Sequence, residues 1–361
     1  MPRSINLRLR GLWFQVHKWI GLTLAILIIP ISISGAALVW HDWLDETINP
    51  QRYAGTGAAA LGPTAYAAAA RAALGPGDRI ASIRYPEHGH GPVVVAAVRP
   101  GKGRPLRTNV WLDPASGRVL DSASADVGPV RFIHVLHGSL AMPGWGRTIV
   151  GGVGIFMFCS CLTGLWLWWP LGGSLRRGFR WKRQNSTNAN LHHLVGFWVL
   201  LPLAMLSFTG AWISFPGLFG ASERPRAAPA RPLAETATTA DRALAAARPL
   251  ATGAPTTIAW PTDQAPAWRI AFGRVDVAVD DPTGAATPPR PPRPETNARL
   301  MRRLHDGTGM GAVWQALIFL GGIIPAILAV TGIVMWLRSR GWRAALARKR
   351  RAGRLAPQPA E

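Results

Sequence analysis

The sequence predicts a membrane-embedded all-α core of four transmembrane helices in two parallel repeats, with two small α+β segments outside the membrane. Three observations support this. Four apolar runs, Trp19–Trp40, Thr148–Trp169, Leu194–Phe215 and Ala312–Leu337, contain no Lys, Arg, Asp or Glu. Each meets the ~20 residues that a helix needs to cross a hydrocarbon core of ~30 Å. The motifs of the first half recur in order in the second, and basic residues gather at one set of run ends.

Taken along the chain, residues 1–18 form a basic N-terminus and 19–41 the first span. Residues 42–147 form an outer segment, 148–170 the second span and 171–191 a basic loop. Residues 192–216 form the third span, 217–311 a second outer segment, 312–337 the fourth span and 338–361 a basic tail. Trp19, Trp40, Trp168, Trp169 and Trp336 sit at run ends, where the amphipathic indole ring favours the membrane–water boundary. The N-terminus, the loop and the tail together hold 17 basic residues and one acid. The positive-inside rule puts all three, and with them both termini, on the cytoplasmic side. Arg299, Arg302 and Arg303 count weakly the other way.

Composition narrows the function classes. The 361 residues carry a formal net charge of +22, which in a soluble chain would suggest nucleic-acid binding. Here the charge lies beside the spans, where orientation and anionic lipid headgroups account for it, so no nucleic-acid partner is expected. The first run is too long for the apolar core of a secretory signal and lacks a small-residue cleavage site after it. Cys159 and Cys161 both lie within the second run, so no disulfide framework is expected.

The two outer segments share a pattern. Each opens with an Ala-rich helical stretch, Thr64–Leu74 and Thr239–Ala247. Each continues with a strand ending in Pro, Ile83-Arg84-Tyr85-Pro86 and Ile258-Ala259-Trp260-Pro261. Each then has an Asp-Pro turn closed by glycine, at Asp113–Gly117 and Asp280–Gly284, since Pro presets φ and Gly tolerates positive φ. The Pro/Arg-rich stretches 225–232 and 287–294 read as extended linkers.

The histidines carry the chemistry. His17 opens a run that reaches Ser34-Gly35-Ala36, and His192-His193 opens one that reaches Thr209-Gly210-Ala211, at the same interval. His137 precedes Thr163-Gly164-Leu165, and His305 precedes Thr331-Gly332-Ile333. In a parallel repeat His17 and His192 lie at the inner ends of the first and third helices. His137 and His305 lie at the outer ends of the second and fourth, so each pair faces across a quasi-twofold axis along the membrane normal. A lone imidazole at a span end is usually an interfacial residue. Two symmetric pairs instead suggest the axial ligands of two haems in a helical bundle, one near each face.

Gly21, Gly35, Gly196 and Gly210, with Gly151, Gly152 and Gly154, are candidates for admitting a flat macrocycle, although small residues also serve helix contact. The register to Gly196 favours His192 as the ligand, with His193 as the alternative or as a propionate contact. His134, three residues before His137 and matched by Arg302, suggests a propionate or substrate contact. His41, His88 and His90 read as boundary or exposed residues. Catalytic residues cannot be named. No dinucleotide, Walker, His-Glu-x-x-His or nucleophile-elbow motif is present, so electrons must come from a quinol or a cytoplasmic reductase.

The His17-Lys18-Trp19-Ile20-Gly21 opening, Leu136-His137-Gly138, Thr163-Gly164-Leu165-Trp166 and the Asp-Pro-Ala-Ser-Gly turn resemble the PepSY-associated transmembrane proteins from Arg8 to Arg340. Among characterised proteins the chain resembles the inner-membrane ferric-siderophore reductases of Gram-negative bacteria. That resemblance implies two periplasmic PepSY-like domains and two b-type haems, with His17 and His192 on the inner one and His137 and His305 on the outer. It also implies electron transfer to a periplasmic ferric-siderophore or other iron chelate, with release of Fe(II). Two alternatives stand beside it. One is a haem-free PepSY membrane protein that binds a periplasmic partner or inhibits a peptidase. The other is a haem relay to a different acceptor, such as a periplasmic oxidoreductase or copper.

Overall fold

A computed structural model describes residues 3–86, 91–101, 105–169, 176, 179–180, 186–219, 230–289 and 296–355. In chain order the elements are α1 (Arg3–Leu38), α2 (His41–Ile48), α3 (Pro63–Arg71), β1 (Arg79–Arg84), β2 (Val93–Arg99), β3 (Leu106–Leu112) and β4 (Val119–Ser124). They continue with α4 (Pro129–Ser139), α5 (Gly146–Trp168), α6 (Thr187–Ser214), α7 (Ala240–Ala247), β5 (Thr257–Ala259) and β6 (Ala267–Phe272). The chain closes with β7 (Val275–Asp280), β8 (Ala286–Thr287), α8 (Asn297–Asp306) and α9 (Gly311–Leu355). These fall into two compact units. One comprises Met1–Trp40, Ile133–Ser222 and Thr296–Glu361, and the other His41–Phe132 and Glu223–Glu295.

The first unit is built on α1, α5, α6 and α9, which are long and apolar enough to cross a membrane at Arg8–Leu38, Gly146–Trp168, Thr187–Ser214 and Gly311–Ala345. The helix α1 packs on α5 and α9, and α6 packs on the same two. Glycines set the contact distance. A Cβ at Gly154 would lie 3.0 Å from the Ser207 carbonyl oxygen, and one at Gly322 would lie 3.2 Å from Ala36. The backbones approach as closely as small residues permit in a membrane bundle.

Helices outrun the apolar stretches that predict them. The first begins at Arg3 and the last reaches Leu355, so His17 and His192 lie within continuous helices, not at their ends. The outer pair differs more from expectation. His137 and His305 are not on α5 and α9. They ride on the separate short helices α4 and α8, which precede those spans. The break after α4 is made by Leu140, Ala141 and Gly144, at φ 50°, 55° and 78°. Left-handed backbone costs a non-glycine residue about 1–2 kcal/mol; the bonds Leu140 N–H to Leu136 O and Ala141 N–H to Val135 O accompany it. After α8 the same reversal uses Gly307, Gly309 and Gly311, all at positive φ. A continuous helix would carry each imidazole in register with its own span; the break frees it to reach another helix.

The second unit corrects the expectation of two separate small domains. Each outer segment keeps its own four-stranded antiparallel meander, but the two form one sheet in the order β4-β3-β2-β1-β5-β6-β7-β8. They join where Ser82, Ile83 and Arg84 pair antiparallel with Ala259, Ile258 and Thr257. Both strands would otherwise be open edges, with unpaired backbone donors and acceptors inviting other chains. Helices α3 and α7 touch each other and pack on the sheet. One core runs across the join, with Tyr66, Ile83, Val95 and Leu112 from one segment and Ile258, Trp268, Ile270 and Val279 from the other.

The Asp-Pro turns anchor this unit. Asp113 is buried and its carboxylate accepts from the backbone N–H and hydroxyl of both Thr56 and Ser116. In the second segment that work is divided. Asp280 accepts from Thr283, while Asp281 accepts from the N–H groups of Ala237 and Thr238 and from the Trp268 indole. The Ser116 hydroxyl and then the Thr56 N–H push the Asp113 carboxyl down to about 2, below the ordinary ~3.9. A depressed carboxyl stabilises the fold above its unfolded pKa and loses that contribution as pH falls through its folded value. Asp113→Asn is therefore expected to destabilise this unit by about 1–3 kcal/mol at pH 7. In thermal melts its deficit against the unsubstituted protein should shrink steadily between pH 4 and pH 2, and a pH-independent deficit would refute the charged role.

Candidate cofactor site

Two histidine pairs lie between the two halves of the helical unit. His17 on α1 faces His192 on α6 with ring centres 6.3 Å apart and planes at 84°. His137 on α4 faces His305 on α8 with ring centres 6.0 Å apart and planes at 38°.

Each ring is seated by the same contact, made four times. The ring lies against a glycine of a neighbouring helix in its own half. A Cβ at Gly164 would meet His17 Cε1 at 3.2 Å, and one at Gly332 would meet His192 Cε1 at 3.8 Å. At Gly35 it would meet His137 Cε1 at 2.6 Å, and at Gly210 it would meet His305 Cε1 at 3.1 Å. Gly35 and Gly210 thus make room for imidazoles rather than for a macrocycle. Gly151 and Gly154 admit Phe215, Ser214, Ser207 and Ala211 in helix packing. Gly21 and Gly196 have no atom within 4 Å of an added Cβ and line open space, as does Gly152 in its first property.

The hydrogen bonds fix which nitrogen of each ring carries the proton. His17 Nδ1 lies 3.0 Å from Thr163 Oγ1 and 3.2 Å from the Ser160 carbonyl. His192 Nδ1 lies 3.1 Å from Thr331 Oγ1, and His305 Nδ1 lies 2.9 Å from Thr209 Oγ1. His137 Nδ1 lies 2.9 Å from the Ile31 carbonyl. A carbonyl only accepts. Each threonine hydroxyl has one hydrogen, and in all three it is already directed to a carbonyl of its own helix, at Ser160, Leu328 and Met205. The hydroxyls must therefore accept from the imidazoles. All four rings are Nδ1–H tautomers, with Nε2 carrying a free lone pair. That is the state in which histidine ligates a metal while its other nitrogen is held by the surrounding protein.

The spacing fits a shared metal. A histidine nitrogen sits about 2.0–2.1 Å from a bound first-row metal, using zinc as the guide. Ring geometry adds about 1.1 Å from that nitrogen to the ring centre, so two rings on opposite sides of one ion have centres about 6.3 Å apart. Around His17 and His192 lies a cavity of about 850 Å³, within the ~300–1,000 Å³ typical of ligand pockets. Its walls include Leu200, Leu203, Phe197, Leu328 and Met335, with Gly21, Gly196 and Gly332 keeping it open. The residues present fit a flat, mostly apolar metal macrocycle held between two imidazoles. Among the described residues no cluster of three His, Cys, Asp or Glu suits a multi-ligand metal ion.

The remaining sequence candidates separate clearly. His192, not His193, faces His17. His193 lines the same cavity, with its ring nearly parallel to that of Trp168 at 6.2 Å between centres. His134 is exposed one turn before His137 on α4. His41 contacts Asp42 at 3.3 Å at the start of α2. His88 and His90, and most of both Pro/Arg-rich stretches, lie outside the described residues. Cys159 and Cys161 are free, and Cys161 lines the cavity. Sequence reasoning missed Thr163, Thr209 and Thr331 as the groups that orient the rings. Their signal was visible as a hydroxyl residue directly before the seating glycine.

Residues 14–339 match the family described as the PepSY-associated TM region. No curated protein matches the chain.

The seating glycines yield a test. Gly35→Ala places a methyl group against the His137 ring and is expected to displace that ring and lower the haem content of the purified protein. Gly341→Ala, whose added Cβ meets nothing and which lies outside the cavity lining, should leave haem content unchanged. Equal haem content in both variants, measured as the pyridine haemochrome, would show that ring seating at Gly35 does not matter.

Proposed function

Because the chain belongs to the PepSY-associated transmembrane family, we propose that it is a dihaem electron carrier that reduces ferric-siderophore iron to Fe(II) across a bacterial inner membrane. One observation carries the reading: two facing histidine pairs, at 6.3 and 6.0 Å between ring centres, with every Nδ1 engaged and no Nε2 hydrogen-bonded among the described residues. His17 and His192 hold one haem b, and His137 and His305 hold the other. A haem held by each pair would supply one-electron transfer rather than oxygen chemistry.

The chain's own residues supply the rest. Eighteen residues separate His17 from Gly35, and eighteen separate His192 from Gly210. At 1.5 Å per residue that is about 27 Å of helix, close to the ~30 Å hydrocarbon thickness. The two pairs thus serve opposite faces of the bilayer. Leu200, Leu203 and Leu328 exclude water around the first pair. The basic N-terminus, loop and tail favour a cytoplasmic position for the His17 side and for both termini. Electrons enter there from a quinol or a cytoplasmic reductase and leave at the His137 side. Reduction weakens a hard-oxygen chelate's hold, because Fe(II) is the softer and less charged ion.

A dithionite-reduced minus oxidised spectrum of the purified protein is expected to show b-type bands, and a featureless trace would leave the haem-free, partner-binding alternative. His17→Ala and His192→Ala should each remove the same haem, leaving about half the absorbance with one unchanged redox midpoint. Retention of both haems in either variant contradicts the pairing. Stopped-flow reoxidation by ferric chelates should be fast, and slow reoxidation by all of them would point to another acceptor.

A further inference from the structure

Four buried hydroxyls stand beside the four imidazoles, and they do not all do the same thing. Ser34, Thr163, Thr209 and Thr331 each precede a seating glycine, and all are buried. Each donates its own hydrogen to a carbonyl of its helix, at Pro30, Ser160, Met205 and Leu328 respectively. Three of the oxygens then accept from a ring. Thr163 accepts from His17 at 3.0 Å, Thr331 from His192 at 3.1 Å and Thr209 from His305 at 2.9 Å. Ser34 breaks the pattern. Its hydroxyl lies 2.6 Å from the Pro30 carbonyl and 3.1 Å from the Ile31 carbonyl, and His137 donates to that same Ile31 oxygen at 2.9 Å. Ser34 is thus a second donor to the oxygen that His137 uses, not its acceptor.

The difference has an electronic consequence. An oxygen that accepts Nδ1–H draws the proton towards itself and leaves Nε2 a stronger electron donor. A stronger donor favours the more highly charged ferric ion over the ferrous one, so it holds down the potential of an iron bound there. A hydroxyl that is itself donating accepts more strongly, because bonds in a chain polarise one another in a low-dielectric interior. Threonine suits the task through its branched Cβ, which confines the side chain to rotamers that keep the hydroxyl on its own helix carbonyl. His17 is the one ring with a further acceptor, since the Ser160 carbonyl lies 3.2 Å from its Nδ1.

We propose that Thr331, Thr209 and, more weakly, Thr163 set the redox potentials of the two haems, each through the imidazole it accepts from, and that Ser34 does not. They act through the histidines and are positioning residues. This rests on the haem reading above and deepens it. Thr163 and Thr331 serve the pair His17 and His192, while Thr209 serves the pair His137 and His305, so the two potentials are set separately.

The test is a redox titration of the full-length, haem-loaded protein, with the two midpoints assigned from the His17→Ala variant. Thr331→Val is expected to raise the midpoint of the His17–His192 haem by the equivalent of about a tenfold change in the Fe(II)-to-Fe(III) ratio, about 59 mV. The other midpoint should stay in place. Thr209→Val should shift the His137–His305 haem alone. Thr163→Val should shift the first haem less than Thr331→Val does, because the Ser160 carbonyl remains within reach of His17. Ser34→Ala should raise neither midpoint. Thr331→Ser and Thr209→Ser, which keep the hydroxyl, should stay close to the original values. Unchanged midpoints in both Thr331→Val and Thr209→Val overturn the proposal, as does a rise in Ser34→Ala as large as that in Thr209→Val. Nitrogen NMR of the haem-free protein gives an independent readout, in which Thr331→Val should lose the single Nδ1–H form of His192 and retention of that form counts against the proposal. Original protein that binds no haem overturns the underlying reading instead, so the two failures are distinct.

Discussion

Everything in the helical unit turns on where four imidazole protons sit. A histidine whose Nδ1–H is donated to a fixed oxygen has one orientation and one bare nitrogen, and here that condition is met by Thr163, Ile31, Thr331 and Thr209. The threonines can accept only because their own hydrogens are spent on backbone carbonyls of the same helix. Such back-bonding normally brings a helix little stability and often bends it. Here it makes a hydroxyl into a dedicated acceptor, and so selects a tautomer deep in an apolar bundle.

That selection constrains the backbone. Each ring needs a neighbour without a side chain, so a glycine follows Ser34, Thr163, Thr209 and Thr331. The first case departs from the other three. Ser34 bonds the Pro30 and Ile31 carbonyls, and His137 takes the Ile31 oxygen directly. A serine hydroxyl on the same spot would serve as threonine does, but the closest approach of all, at Gly35, brings the ring onto the main chain itself. The strained turn after α4 belongs to the same constraint. Without left-handed backbone at Leu140 and Ala141, His137 would follow α5 and could not reach α1.

Much of this was legible in the sequence, and the failures are instructive. Charge-free runs marked the four spans because a bilayer tolerates neither charge nor unpaired backbone. Equal intervals from His17 to Gly35 and from His192 to Gly210 marked the histidine pairs, and register set His192 ahead of His193; His192 is the ring that faces His17. The separate helices α4 and α8 were not legible. Pattern alone does not distinguish a helix that continues from one that reverses, and Leu140 and Ala141 are not residues that announce positive φ. The join between β1 and β5 was equally hidden, because strand pairing over such sequence separation is set by edge closure and a shared core rather than by local alternation. The glycines were noticed for the right property and assigned the wrong occupant at Gly35 and Gly210, where the ring itself takes the space.

The division of labour between halves bears on why both are needed. His17 is seated on Gly164 and His137 on Gly35, all in the first half; His192 on Gly332 and His305 on Gly210 are all in the second. Each half can therefore orient its own imidazoles without the other. Neither half can place two of them about 6 Å apart on opposite sides of one point. A ligand gripped at both positions adds its binding free energy to the association of the halves, as metal binding adds to folding wherever the site exists only in the assembled state. Within the other unit the sheet likewise needs both halves, because β1 and β5 would each be an exposed edge alone.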